Sequence, residues 1–263
     1  MKPTETSAYD TTAFSFERYR SLPNSVVEAI RSAIWSAASL PDHARVLDVG
    51  AGTGRIGKAF LAAGDFYVGV DSSLAMLQEF SAKLEFRESK TCLLAQAEGR
   101  QLPFQSASFD LVLLMQVLSA AGNWRLLLDE CRRVLRPGGI IAVGHTRSPE
   151  SGIDAQLKRQ LVAILEAMQV PWHQPRESRR QALAWLEAES VRHWYLEAAV
   201  WNVTTSTEEF LSRHRTGARF AALPLSIQEE ALARLHAWAE TNFGSASTRF
   251  EEQHSFELGI FKF

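Results

Sequence analysis

Short apolar runs alternate with longer amphipathic segments over the first 150 residues or so of the chain. The runs predict five strands, at 45–49, 66–70, 91–95, 109–115 and 139–145. Apolar residues at helical spacing between and after them predict helices at about 55–63, 73–84, 123–135 and 153–168. Apolar strands separated by helices are typical of βαβ units, so the pattern predicts a parallel sheet that is buried on both faces.

The pattern changes at both ends of the chain. Before the first strand, a helix is predicted from Pro23 to about Ser39, with Asn24 or Ser25 as its N-cap. After about residue 148, the pattern predicts a helix at 176–190, a sixth strand at 191–203 and a last strand at 254–263.

Two more helices are predicted between the sixth and last strands. The first has Thr205 or Ser206 as its N-cap, and the second begins at Ser226 with Glu229 placed for a capping box. The sequence RPGG at 136–139 predicts a helix end and a turn before the fifth strand.

Composition and charge narrow the class of protein. The chain has 263 residues, a net charge of −2 and a pI near 6.4, so it has no global attraction to nucleic acid, and no nucleic-acid partner is expected. Cys92 and Cys131 are too few for a disulfide framework and fit a reducing compartment. The chain start lacks the apolar core of a signal peptide, and no run of about 18 apolar residues occurs. We expect a cytoplasmic protein without membrane insertion.

Three glycines, Gly50, Gly52 and Gly54, follow the first strand and precede a helix. A strand, a glycine-rich turn and a helix N-terminus together form a backbone surface that a nucleotide-like ligand can approach closely. Asp71 ends the second strand nineteen residues after Gly52, where a carboxylate can accept both hydroxyl hydrogens of a ribose.

Two ligand chemistries fit this turn. Gly52, Gly54 and Gly57 match the G-x-G-x-x-G pattern of dinucleotide binding, so an NAD-dependent oxidoreductase is one alternative. Asp48, two residues before the first glycine, would repel a pyrophosphate but suits the cationic end of an amino-acid-bearing sulfonium.

Residues 48–54, Asp-Val-Gly-Ala-Gly-Thr-Gly, resemble the D/E-x-G-x-G-x-G motif of class I S-adenosylmethionine-dependent methyltransferases. Segments 68–77, 97–118 and 126–143 are similar to the family's later motifs, in the same order and spacing. The likeness is strongest to the methyltransferase type 11 subgroup, which includes ubiquinone and menaquinone C-methyltransferases.

The resemblance implies a Rossmann-like α/β fold in a single domain, 1–263. It has a seven-stranded, mostly parallel sheet with an antiparallel last strand, helices on both faces and a helical insertion before the final strand. Residues 1–40 are expected to form an N-terminal helical cap and 41–148 the cofactor-binding core. Residues 149–263 are expected to form the substrate-side half, with a helical lid at about 205–243.

The resemblance also implies a cofactor site. Asp71 would bind the ribose, Glu98 would face the adenine amino group where the family usually has Asp, and Gln116 would contact the methionine part. The other implied contacts are Asp48, Gly50, Ala51, Gly52, Gly54, Ser72, Met76 and Ala97. Arg18 or Arg20, from a segment that often folds over the cofactor in this family, would bind the methionine carboxylate. No metal is expected.

Candidates for the chemistry itself are fewer. His145 ends the fifth strand and is the candidate general base, with a histidine hydrogen-bonded in a loop as the alternative. Weaker candidates are His173, His193 and Trp194. The cluster Arg213, His214, Arg215 and Arg219 would either stabilise a helix C-terminus or hold an anionic substrate. Five tryptophans after residue 170 are expected mainly to fill the core of the insertion.

The sequence therefore predicts an S-adenosylmethionine-dependent methyltransferase that acts on a small, aromatic or otherwise apolar acceptor, as a monomer or homodimer. The alternatives are an NAD-dependent oxidoreductase and a non-catalytic S-adenosylmethionine-binding protein.

Overall fold

A seven-stranded sheet organises the protein. The computed structural model describes residue 18 and residues 20–41, 43–119, 121–172, 175–215 and 217–263. The strands are β1 (Arg45–Val49), β2 (Phe66–Asp71), β3 (Cys92–Gln96), β4 (Phe109–Met115), β5 (Leu135–Arg147), β6 (Arg192–Thr205) and β7 (Phe250–Lys262). Their order is β3-β2-β1-β4-β5-β7-β6, and β7 runs antiparallel to both of its neighbours. The predicted sheet with an antiparallel last strand is confirmed.

Helices connect the strands as predicted. They are α1 (Asn24–Ala38), α2 (Gly57–Ala62), α3 (Leu74–Ser81), α4 (Trp124–Val134), α5 (Ile153–Ala167), α6 (Pro175–Glu189), α7 (Thr207–Arg215), α8 (Ala218–Ala221) and α9 (Leu225–Phe243). A single 3-10 turn, Glu88–Lys90, precedes β3. None of the helices in the described ranges is long and apolar enough to cross a membrane.

Three apolar clusters stabilise this arrangement. Helices α1 and α2 pack on one face of the sheet, and α4 and α6 pack on the other. Helices α7, α8 and α9, which are inserted between β6 and β7, form a third cluster with α5. The insertion therefore has a core of its own that lies beside the sheet. Burial of this apolar surface is the main favourable term in its stability.

Two helix starts differ from the prediction. Helix α1 begins directly after Pro23 and α9 directly after Pro224, and neither has a side-chain capping bond. Because the proline ring fixes φ near the helical value, each helix starts earlier than predicted, by one residue relative to a cap by Asn24 and by two relative to a cap by Ser25 or Ser226. In α7, by contrast, the Ser206 hydroxyl accepts the backbone N–H of Glu209, as predicted.

The stretch 136–139 was expected to be a turn, but it belongs to β5. Phe109 pairs with Leu135 and Leu111 pairs with Ile140, so β5 carries extra residues at this point. Gly138 has a φ of 80° and donates its N–H to the carbonyl of Phe263. This irregularity sets which later residues of β5 face each side of the sheet.

The tryptophans are distributed differently from the expectation. Trp172 and Trp238 pack against the cluster of the insertion. Trp185 packs against the cluster under α4 and α6, whereas Trp194 and Trp201 pack on the opposite face of the sheet. Long strands β6 and β7 place the last two there, which the sequence pattern alone did not indicate.

Candidate active site

A sharp turn links β1 to α2 at the carboxyl end of the sheet. Gly50, Gly52 and Gly54 have φ values of 80°, 55° and 78°, in the left-handed region that favours glycine. The backbone N–H groups of Gly50 and Ala51 both donate to the carbonyl of Val70 on β2. The turn is therefore anchored to the neighbouring strand at its first two residues.

The three glycines have different surroundings. A Cβ at Gly50 would lie 2.6 Å from the Val117 side chain, and one at Gly54 would lie 2.2 Å from the ring of Phe80. A Cβ at Gly52 would meet no atom within 4 Å. Gly52 borders open space in the cleft described below, whereas Gly54 allows Phe80 to pack. Gly54 is not among the described residues that line the cleft, so the expected cofactor contact at Gly54 stays a prediction.

Asp71 holds the turn through its carboxylate. Oδ2 accepts the backbone N–H of Gly52 at 2.9 Å, and Oδ1 accepts that of Ser73 at 2.9 Å. Ser73 in turn caps α3, since its hydroxyl accepts the N–H of Met76. One side chain thus orients both the glycine turn and the start of α3.

Asp48 is a buried carboxyl group beneath the turn. The Tyr67 hydroxyl donates to its Oδ2 at 2.6 Å, and among the described residues its Oδ1 has no hydrogen-bond partner. Burial, and secondarily the charge of Asp71, raise the pKa of Asp48 to about 7, although the Tyr67 bond opposes this. Gly57 makes the pair possible, because a Cβ there would lie 2.2 Å from the Tyr67 hydroxyl.

Arg55 connects three segments around the same cleft. One of its nitrogens, Nη1, donates to the carbonyl of Arg20, and Nη2 donates to Oε1 of Gln116 at 3.1 Å. Gln116 follows β4 with a φ of 64°, and its Nε2 donates to the Thr146 hydroxyl at 2.8 Å. Arg55 was not predicted as a site residue from the sequence. The sequence feature that could have indicated it is a positively charged residue next to a helix N-terminus, where the helix dipole disfavours positive charge.

These residues border a cleft of about 600 Å³ at the carboxyl ends of β1, β2 and β4. This volume is typical of a small-molecule site. The predicted contacts that line it are Asp48, Gly50, Ala51, Gly52, Asp71, Ser72, Met76, Ala97, Glu98 and Gln116. Arg20, Thr53, Arg55 and Ala222 also line it. Ala222 lies between α8 and α9, so the insertion reaches the cleft.

Two predicted contacts have distinct settings. The Glu98 side chain is 58% exposed and lies 3.5 Å from Arg100 at the rim of the cleft.

Arg18 is exposed and is not among the described lining residues, whereas Arg20 is half-buried and lines the cleft. Of the two arginines considered for the methionine carboxylate, the structure brings Arg20 to the site. Its guanidinium also donates to the carbonyl of Arg213 at the end of α7.

His145 does not line the cleft. Its Nδ1 lies 2.7 Å from a guanidinium nitrogen of Arg179 on α6, and its Nε2 lies 3.3 Å from Glu257 on β7. Burial, followed by the charge of Arg179, lowers the pKa of His145 to about 4. The base function stays a prediction, and the structure places this side chain on the α6 side of β5, away from Gln116.

The other candidates lie elsewhere. His193 is exposed and stacks on Phe261, and neither it nor Trp194 lines the cleft. Arg213 pairs with the buried Asp154, and burial lowers the pKa of His214, whose ring stacks on Phe210. His173 and the side chain of Arg219 lie outside the described residues.

Comparisons with known proteins agree with this geometry. Residues 47–143 match the methyltransferase domain family. A demethylmenaquinone methyltransferase of Parafrankia sp. (strain EAN1pec) is 32% identical over 190 residues, which cover 65% of this chain and 71% of that protein. The chain belongs to the class I S-adenosylmethionine-dependent methyltransferases.

A second relative and two solved structures extend the comparison. An uncharacterized methyltransferase of Mycolicibacterium vanbaalenii is 35% identical over 144 residues, which span 51% of this chain and about half (54%) of that protein. The YcgJ protein of Bacillus subtilis has a TM-score of 0.55 at 19% identity, covering 88% of this methyltransferase and 97% of that chain.

A phosphoethanolamine N-methyltransferase of Haemonchus contortus, solved with phosphomonomethylethanolamine and S-adenosylhomocysteine, has a TM-score of 0.54 at 14% identity. The match covers 96% of this methyltransferase and 57% of that chain. At these identities the two structures support the Rossmann-like fold. The methyltransferase prediction is confirmed, and the oxidoreductase alternative is not supported.

Proposed function

We propose that this methyltransferase binds S-adenosylmethionine in the cleft beneath the glycine turn and methylates a small aromatic acceptor with a quinol-like or phenolic ring. The observation that carries the proposal is the open approach to Gly52 beside the Asp71 carboxylate. The acceptor class is supported by the relative that is named a demethylmenaquinone methyltransferase, because the match includes 71% of that protein.

The residues of the cleft fit this cofactor. A missing side chain at Gly52 leaves room for a ligand against the backbone, and Asp48 presents an oxygen without a described partner. When bound, S-adenosylmethionine supplies a methyl group on a positively charged sulfur, which makes that methyl group electrophilic.

Each residue has a separate task in the proposal. Asp71 accepts hydrogen bonds from the ribose hydroxyls while it keeps the turn in place. Asp48 neutralises the cationic end of the methionine part, and Arg20 binds its carboxylate. Glu98 contacts the adenine edge from the rim. Apolar lining residues, such as Met76 and Leu127, exclude water from the reacting groups.

Helices α7 to α9 are the predicted lid in this proposal. Ala222 borders the cleft, and Arg20 bonds the end of α7, so the insertion is joined to the cofactor side of the site. The proposal also includes a monomer or homodimer in the cytoplasm, in keeping with the unpaired Cys92 and Cys131.

Calorimetric titration tests the proposal directly. We expect S-adenosylhomocysteine and S-adenosylmethionine to bind at a single site, and NADH to give no heat of binding. Formation of S-adenosylhomocysteine is then followed with a short-chain demethylmenaquinol and a catechol as acceptors. Binding of NADH without a response to S-adenosylmethionine would contradict the assignment.

A further inference from the structure

Three side chains form a hydrogen-bonded chain beside the cleft. Arg55 donates to Oε1 of Gln116 at 3.1 Å, and Nε2 of Gln116 donates to the Thr146 hydroxyl at 2.8 Å. They come from the glycine turn, from the end of β4 and from β5. Gln116 is additionally held by its backbone N–H, which donates to the carbonyl of Gly144 at 2.7 Å.

The direction of this chain is fixed by the chemistry of its first member. A guanidinium has only donors, so the oxygen of the Gln116 amide must face Arg55. The amide nitrogen then faces Thr146, whose oxygen acts as the acceptor. No second hydrogen-bond partner of the Thr146 hydroxyl occurs among the residues that the structure describes. Thr146 is half-buried and is not itself a lining residue of the cleft, but it contacts Gln116, which is, so a ligand that extends past Gln116 can meet its proton.

The backbone at Gln116 is evidence that this orientation matters. A non-glycine residue with a φ of 64° is in a sparsely populated conformation, and such strain is concentrated at functional sites. Arg55 is likewise held at two points, since it also donates to the Arg20 carbonyl. Polarisation by a cation strengthens each successive donor along a chain of hydrogen bonds.

Arginines lie at the Gln116 end of the cleft, whereas its described carboxylates, Asp48, Asp71 and Glu98, come from β1, from β2 and from the segment after β3. Arg20 and Arg55 line the cleft there, and the described lining residues that follow β4, from Gln116 to Asn123, include no carboxylate. With Arg20 assigned to the methionine carboxylate, an ammonium group would still meet the Arg55 side of the hydrogen-bonded chain and a hydroxyl donor there. An anionic oxygen would meet complementary groups instead.

We propose that Thr146 donates its hydroxyl proton in a hydrogen bond to the methyl acceptor, and that the chain from Arg55 through Gln116 selects acceptors with an electron-rich oxygen over amines. Such oxygens are those of phenolates, enolates and quinols. This inference rests on the proposed function. Thr146 is the residue that contacts the acceptor, and Arg55 and Gln116 are positioning residues that keep its proton directed outward.

The test uses 4-nitrophenol, whose absorbance distinguishes phenol from phenolate. It is titrated into protein saturated with S-adenosylhomocysteine, which gives both its dissociation constant and its pKa when bound. We expect Thr146→Val to weaken phenolate binding about tenfold or more, the range for a lost hydrogen bond to a charged group, and to raise the bound pKa. Thr146→Ser keeps the donor and should restore wild-type values. Thr241→Val, at an exposed position on α9, is the matched control.

A second variant tests the direction of the chain. Gln116→Glu keeps the size of the side chain and the bond from Arg55, but its carboxylate accepts from both sides. Thr146 must then donate inward, so phenolate binding should fall although the threonine is present. If the added negative charge were the cause instead, its effect would add to that of Thr146→Val. We expect the double variant to bind phenolate as weakly as either single variant does.

Several outcomes would overturn the inference. They are additive effects of the two substitutions, unchanged phenolate binding in Thr146→Val, no phenolate binding to the wild type, and tighter binding of phosphoethanolamine than of 4-nitrophenolate. Calorimetry of S-adenosylhomocysteine distinguishes a failure of the proposed function from a failure of the role proposed for Thr146. If the wild type does not bind it, the proposed function fails. If Thr146→Val binds it as the wild type does, within about twofold, any altered phenolate binding reports on the acceptor alone.

Discussion

The Tyr67 hydroxyl on β2 donates a 2.6 Å hydrogen bond to the Asp48 carboxyl on β1, at a position that is buried beneath the glycine turn. Tyr67 can reach it only because residue 57 is glycine. The pair leaves one oxygen of Asp48 directed to no described partner, at the wall of the cleft. A buried carboxyl in this setting favours its neutral form until a cation approaches.

Replacing Asp48 by Asn should change how stability depends on pH. Burial raises the pKa of Asp48 from 3.8 to about 7, so between these values the folded protein holds a proton that the unfolded chain has lost. Wild-type stability therefore falls as pH rises through this window. We expect the stability of Asp48→Asn relative to wild type to increase by about 3 kcal/mol from pH 5 to pH 8, as measured by urea unfolding. A difference that does not vary with pH would contradict this.

Asp71→Ala should weaken the binding of S-adenosylhomocysteine by about 1–3 kcal/mol, because charge-assisted hydrogen bonds are lost. Its two oxygens also hold the N–H groups of Gly52 and Ser73, so the unfolding midpoint should fall as well. Calorimetry and thermal unfolding measure the two effects. Asp129→Ala, at an exposed position of α4, is the control. Unchanged affinity in Asp71→Ala would refute the ribose assignment.

Gly52→Ala should mainly weaken ligand binding, whereas Gly54→Ala should mainly reduce the stability of the protein. Both positions have positive φ, which costs roughly 1–2 kcal/mol for alanine. At Gly52 the new Cβ meets no protein atom, so the variant should fold but bind S-adenosylhomocysteine more than tenfold less tightly.

At Gly54 the new Cβ lies 2.2 Å from the Phe80 ring, and overpacking adds a further cost of about 1–3 kcal/mol. We expect the larger loss of stability there, measured by urea unfolding. If Gly52→Ala were the less stable variant, the roles given to Gly52 in ligand approach and to Gly54 in the packing of Phe80 would be wrong.

His145 should be neutral at physiological pH. Burial, with the charge of Arg179 as the second cause, lowers its pKa from 6.5 to about 4, so its contribution to stability is lost as pH falls through this window. Nuclear magnetic resonance titration of the imidazole should show the low value, and Arg179→Gln should raise it. A wild-type pKa near 6.5 would contradict the burial and the contact with Arg179.

Arg213→Ala should destabilise the protein by about 1–3 kcal/mol, because it removes one of two cationic partners of the Asp154 carboxylate, whose side chain is 3% exposed and which keeps Lys158 at 2.5 Å. Arg234→Ala, which breaks an exposed pair with Glu230 on α9, should cost less than about 1 kcal/mol. Thermal unfolding of the two variants provides the comparison. Equal losses would mean that the pair of Arg213 with Asp154 contributes no more than a surface contact.

Most of the sheet and the position of its main cleft could be predicted from local pattern. Strands β1, β4 and β5 are buried on both faces, so they are apolar runs of strand length, and the glycines and Asp71 follow two strand ends directly. The insertion was recognisable because helical spacing interrupts two strand patterns. These features depend on neighbouring residues in the chain, which a sequence displays.

Only the tertiary structure decided which side chains share the site. Arg55, Gln116 and Thr146 are far apart in sequence, and no local pattern pairs them. The extra residues of β5 set its register against β4, and alternate residues of a strand face opposite sides. Thr146 therefore faces Gln116 while His145 faces Arg179, although the sequence favoured His145. A shift of one residue would exchange them, and that choice is made by strand pairing across the sheet.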